Sequence, residues 1–82
     1  MAPYMEVRTT VMAFGQLAEI MGANMPVNGI KDTNDLVQYL EEKFPQVKEI
    51  PYKIAVNKKI ITGNTMLDEN SIVALLPPYS GG

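Results

Sequence analysis

The sequence predicts an α+β domain in which a sheet carries one main helix on one face. Two observations support this. Short segments rich in β-branched and large apolar residues recur at 8–14, 53–56 and 71–76, with one longer segment of helical periodicity at 34–44 between them. The chain has 82 residues, 46% of them hydrophobic, which suits a single domain over 1–82 with one modest core and excludes intrinsic disorder. The second face of such a sheet stays open unless a partner covers it.

Residues 1–7 are expected to be a loose leader. The first strand is placed at 8–14, with Thr9, Val11 and Ala13 facing one way and Thr10, Met12 and Phe14 the other. Gly15 interrupts it, 16–21 makes a short helical turn, and Gly22 stops that turn. A second short strand is expected at 24–28, closed by the turn signal Asn28-Gly29. The main helix is placed at 34–44, because Leu36, Val37, Leu40 and Phe44 fall on one face. Asp32 or Thr33 can cap it, Asp35 and Lys43 suit its two dipole ends, and Pro45 ends it. A strand at 53–56, a turn at Asn57-Lys58-Lys59 and a return strand at 60–62 follow. A connection over 63–70 leads to the last strand at 71–76, which Pro77-Pro78 ends because proline cannot donate to a sheet ladder.

Composition narrows the chemistry. There is no cysteine and no histidine, so a disulfide framework, a thiolate nucleophile and a zinc site built on those residues are excluded. The usual general base near pH 7 is missing too. A net charge of −2 argues against a nucleic-acid partner. No run reaches the roughly 18 apolar residues of a membrane span, and the start lacks the basic and apolar regions of a secretory signal, so the expected location is cytoplasmic with no membrane partner. The glycines form no phosphate loop, and no carboxylate spacing fits a metal, so the metal expectation is none. Lys58-Lys59 read as a solvated hairpin tip, with steering of an acidic partner as the alternative; Asp68-Glu69 read as a turn.

The ending Leu76-Pro77-Pro78-Tyr79-Ser80-Gly81-Gly82 is the main functional signal. Two prolines favour a stiff, extended exit, and two glycines give a slim terminus whose carboxylate is open from every side. Residues 77–82 are therefore expected to be an extended, flexible tail.

These residues carry a resemblance. Phe14-Gly15-Gln16-Leu17-Ala18-Glu19-Ile20-Met21-Gly22, Ala55-Val56-Asn57, Leu67 before an acidic turn and the Leu76–Gly82 ending together resemble the ubiquitin-like sulfur-carrier proteins, and most closely the small subunits of molybdopterin synthase. The ending is the specific marker. Asn70 stands where that family commonly has glycine in this turn; asparagine tolerates a left-handed backbone, so the turn is expected to survive. Ile72 replaces a commonly polar position.

The resemblance implies a β-grasp (ubiquitin-like) fold with a mixed sheet. It implies that the Gly82 carboxylate is adenylated by an ATP-dependent, ubiquitin-activating-like adenylyltransferase, then converted to a thiocarboxylate with sulfur from a donor protein. That sulfur goes to a pterin precursor in the large synthase subunit, in an assembly of two small and two large subunits. The chain would be the sulfur-donating subunit without catalytic side chains of its own. Gly82 carries the sulfur, with Pro77, Pro78, Tyr79, Ser80 and Gly81 as its stalk. No cofactor is bound permanently; ATP belongs to the activating enzyme and the sulfur is covalent at Gly82. Phe14, Ile60 and Leu76 map to an apolar patch that binds partners, with a place in the core as the alternative for Ile60. Three other functions stay open: a carrier for thiamine thiazole or another sulfurated product, a modifier joined to other proteins through Gly82, and a binding module with an incidental tail. Thiamine carriers more often lack the Pro-Pro pair.

Overall fold

The computed structural model describes residues 8–78. The expected leader, and Tyr79, Ser80, Gly81 and Gly82 of the expected tail, lie outside the described residues. The elements in order are β1 (Arg8–Ala13), α1 (Gly15–Met21), β2 (Asn24–Asn28), α2 (Thr33–Lys43), a 3-10 helix (Pro45–Glu49), β3 (Lys53–Val56), β4 (Lys59–Ile60) and β5 (Ile72–Leu76). The strands form one mixed sheet in the order β2-β1-β5-β3-β4. β1 and β5 are parallel and every other neighbouring pair is antiparallel. This is the expected β-grasp.

The strands obey the alternation read from the sequence. Thr9, Val11 and Ala13 are buried, while Thr10 and Met12 are half-exposed and Phe14 is exposed. Val11 pairs with Val73 and Ala13 with Leu75, so β1 and β5 send the same face inward. Against it pack Leu17 and Met21 of α1, Leu36 and Leu40 of α2, and Val47 of the 3-10 helix. Each fully buried aliphatic side chain here contributes about 1.5–3 kcal/mol of transfer free energy. All the helical elements lie on this side, and the opposite sheet face has no cover within the described residues. Val37 and Phe44 belong to the predicted helix face but are only half-buried, because the core contact is centred on Leu36 and Leu40. Gly22 ends α1 at φ 92° and ψ 156°, a backbone conformation for which glycine is suited.

Two segments depart from the sequence reading, each for a local reason. Pro45 ends α2 as expected but then opens the 3-10 helix, which seats Val47 in the core. The return strand is only Lys59–Ile60. Val56 pairs with Lys59 across a two-residue turn, and Asn57 and Lys58 both have positive φ, 51° and 74°. Beyond Ile61 the chain leaves the sheet to clamp α2. The turn at Asn70 survives, as expected, and needs no left-handed backbone there. The Asn70 N–H donates to Asp68 Oδ1 at 3.0 Å, and the Asp68 N–H donates to Ser71 Oγ at 2.8 Å, so side chains close this turn.

The clamp satisfies the N-terminus of α2. The Thr33 N–H donates to the Thr65 carbonyl at 2.9 Å, the Asn34 N–H to Asn64 Oδ1 at 2.8 Å and the Asp35 N–H to Asp32 Oδ1 at 2.8 Å. The last bond also holds the Asp32 carboxyl below its ordinary range, with the Asn64 side chain adding to the effect.

Two outcomes follow from these contacts. Asn57 receives the Ile72 N–H on its side-chain oxygen at 2.9 Å and donates its own N–H to the Ile72 carbonyl at 2.8 Å. Asn57→Ala loses the first bond and the tolerance of positive φ, so urea unfolding should show a loss of about 1–2 kcal/mol, largely restored in Asn57→Asp. The Asp32 shift is downward, so its stabilising contribution is complete above pH 3.8 and fades as the pH falls through the lower folded value. Asp32→Asn keeps the cap but not the titration. Its urea midpoint should therefore fall less steeply with acidification below that pH than the wild-type midpoint.

Candidate functional site

Strand parity builds the open face. Met12 of β1 lies opposite Ala74 of β5, Ala74 opposite Ala55 of β3, and Ala55 opposite Ile60 of β4. This gives one apolar row across four strands. Ile72 lies one pleat below it, opposite Thr10, and Leu76 one pleat above it, opposite Lys53. Phe14 follows directly after β1, one residue beyond the Ala13–Leu75 pair. Phe14, Ile60 and Ile72 are 43%, 55% and 48% exposed. Single exposed apolar side chains are ordinary, but a contiguous set on an uncovered sheet face marks an interaction surface.

The structure thus places Phe14, Ile60 and Leu76 on one side of the sheet. Ile60 is not core, which removes the alternative for that residue. Leu76 is only half-exposed. Met12, Ile72 and Ala74 join them, forming with Asn57 and Lys58 a shallow hollow of about 320 Å³. The alternation of 8–14 already put Met12 on the face of Phe14, and the register with β5 adds Ile72 and Ala74.

A second hollow, of about 360 Å³, lies where the tail begins. It is bounded by Phe14–Leu17, by Ile50-Pro51 and by Pro77-Pro78. Gly15, at φ 59°, opens α1 there and turns the chain inward beside the prolines. Nothing in the sequence pattern around Ile50-Pro51 signalled this role, because the two segments meet only through the fold. A third hollow, of about 420 Å³, separates α2 from β3 and β4, with Val37, Tyr52, Ile54 and Ile61 among its walls. Burial pushes the Tyr52 phenol upward, and the Glu41 charge adds to this, so the group stays neutral at ordinary pH.

The described residues offer surface rather than reactivity. Among them no three carboxylates or other ligands cluster to hold a metal. Every buried polar side-chain atom among them has a hydrogen-bond partner. No helix among them is long and apolar enough to cross a membrane.

Comparisons with known proteins follow this geometry. The model of the ThiS family matches residues 11–82. A protein of Pyrococcus furiosus provisionally named molybdopterin converting factor subunit 1 superposes with a TM-score of 0.78 at 19% identity, covering 88% of this chain and 98% of the other. The small archaeal modifier protein 1 of Methanosarcina acetivorans gives 0.74 at 24% identity, over 96% and 100% of the two chains. These two share the fold. A chain in the complex of subunits 1 and 2 of the molybdopterin-converting factor of Helicobacter pylori 26695 gives 0.69 at 28% identity, over 92% and 99%.

The two faces should respond differently to truncation. Leu75 is fully buried and Ile72 is 48% exposed on the same strand. Leu75→Ala should cost about 2–5 kcal/mol in urea unfolding, and Ile72→Thr less than about 1 kcal/mol.

Proposed function

The chain belongs to the ThiS family, and we propose from this that it is a cytoplasmic sulfur carrier of molybdopterin synthesis, the small subunit that brings sulfur on Gly82 into a larger subunit's active site. The observation that carries the reading is the uncovered apolar face, which runs up to Pro77-Pro78 where the tail begins. A carrier needs both parts: a surface that docks, and a terminus that is presented beyond it. The likeness to a subunit taken from a two-subunit molybdopterin-converting complex supports a large-subunit partner. The Pro-Pro pair favours this product over thiamine thiazole.

The chemistry balances at the terminus. An α-carboxyl group with an ordinary pKa of about 3.5 is ionised at pH 7 and is a poor electrophile. In the adenylating enzyme, a Gly82 carboxylate oxygen attacks the α-phosphorus of ATP and pyrophosphate leaves. Sulfide then attacks the acyl carbon and AMP leaves, giving the thiocarboxylate directly; where the donor protein presents a persulfide instead, the same attack gives an acyl disulfide, and a second donor thiol cleaves its S–S bond to leave the thiocarboxylate and a donor disulfide. In the large subunit the sulfur goes to the pterin precursor, and water returns the terminus to a carboxylate. This chain's residues position the terminus; acid–base and phosphate-binding groups belong to the partners. The proposed assembly pairs two small with two large subunits. In this reading the chain itself holds no metal or permanent cofactor, and its partners are proteins rather than nucleic acid or membrane.

A second reading has its own support. The modifier from Methanosarcina acetivorans shares the fold over nearly the whole chain. A modifier uses the same adenylation and differs only in the acceptor, a lysine amine in place of a sulfur nucleophile.

Intact-mass analysis separates the readings. The chain is incubated with its adenylating enzyme, ATP and a sulfur donor. One oxygen-to-sulfur exchange, absent when Gly82 is deleted, is the expected result. Protein adducts in a cell extract, without that exchange, would establish the modifier. Sulfur transfer by the deletion variant would sink the carrier mechanism.

A further inference from the structure

The chain carries nine acidic and seven basic residues, yet not one aspartate or glutamate stands in any of the five strands. The described carboxylates sit in the helices, in the Asp32 cap of α2 and in the turn before β5. Lys53 and Lys58 stand instead beside the open face. Lys53 is opposite Leu76 at one end of the apolar patch. Lys58 borders Met12, Ile72 and Ala74 at the other. Both are exposed. They are separated by about 13–17 Å, given the rise of a strand.

The position of Lys58 carries a cost. Its φ of 74° lies where glycine or asparagine is favoured, and a lysine there is disfavoured by about 1 kcal/mol. The turn nevertheless holds a cation at the edge of the hollow. A protein of net charge −2 thus presents its apolar face between two cations and keeps its carboxylates elsewhere.

We infer that the open face docks an apolar protein surface flanked by carboxylates, two of which meet Lys53 and Lys58. The inference rests on the proposed reading that this face binds the proteins that receive the tail, and it adds the charge chemistry of those partners. An apolar centre between the cations favours a protein over a nucleic-acid backbone, which would need a continuous cationic track. The lysines act at the rim, so their effect is on encounter rate and on salt dependence more than on the lifetime of the complex.

Stopped-flow association of the full chain with the large synthase subunit, and separately with the adenylating enzyme, tests this from about 0.05 to 0.5 M salt. Wild-type association should slow as salt rises. Lys53→Glu combined with Lys58→Glu should slow it about tenfold at low salt and flatten the salt dependence. Lys58→Asn removes the charge while suiting the left-handed backbone, so a folding defect cannot produce its effect. Lys48→Glu, in the 3-10 helix on the other side, makes the same change in net charge as Lys53→Glu or Lys58→Glu made singly and should leave the rate within about twofold, where each of those singles slows it more. Salt-independent wild-type association, or an equal effect of Lys48→Glu, would overturn the inference and leave the carrier reading standing. Failure of the wild type to bind either partner would overturn both. Tight binding of an oligothymidylate that depends on Lys53 and Lys58 would replace a protein partner by nucleic acid and refute the inference alone.

Discussion

The parallel pairing of β1 with β5 joins residues some sixty positions apart, Thr10 with Ile72 through Ala13 with Leu75, and places the last strand in the middle of the sheet. Parallel neighbours need a crossover connection, and here the crossover contains both helices. Once Val11 meets Val73 and Ala13 meets Leu75, one face is committed to the core by parity, and a one-residue slip would turn every buried side chain outward. The same register sets Met12 beside Ala74 and leaves Phe14 at the end where Pro77 begins. The inner packing and the outer surface are therefore two consequences of a single alignment.

That alignment leaves a debt on the open side. Apolar side chains at Met12, Ile60, Ile72 and Leu76 lie on a face that the helices do not reach, while the buried cluster on the other face supplies the stability. The edges of the sheet are poor templates for further strands: β2 carries Pro26 and β4 has only two residues. Growth by strand addition is thus disfavoured at both edges, and association is directed to the face. The turn at Asn57-Lys58 belongs to the same arrangement, since Asn57 holds the first residue of β5 through two hydrogen bonds and so steadies the lower end of the patch.

Much of this was legible in the sequence, and the remainder shows what local pattern does not encode. Alternation at 8–14 gave the inward and outward sets, the cap of α2 was narrowed to Asp32 or Thr33, of which the fold uses Asp32, and the Leu76–Gly82 ending pointed to the family. The clamp on α2 was not legible, because Asn64 and Thr65 act on residues some thirty positions away, and a polar loop looks alike whether solvated or bonded. The 3-10 helix was hidden by Pro45, which marks an end of α-helix equally well with or without a tighter turn behind it. The short β4 was overextended to Thr62 because Ile60-Ile61-Thr62 has strand composition, yet the Ile61 N–H donates to Ile54 and the chain then turns to α2. The hollow at Ile50-Pro51 and Pro77-Pro78 likewise exists only in three dimensions.

If the chain is the proposed carrier, docking and chemistry are separated by the covalent reach of the tail. Six residues beyond Leu76 extend at most about 20 Å. A partner that accepts the terminus must therefore place its reacting groups within that distance of the surface covering Phe14 and Leu76. Changes on the open face then alter how often and how firmly the terminus is delivered, while changes at Gly81 or Gly82 alter what happens after delivery. A protein without cysteine or histidine loses nothing by this division. On the proposed reading the reactive group is the main-chain carboxylate of Gly82, so the side chains are left to hold the register, cover one face of the sheet and offer the other.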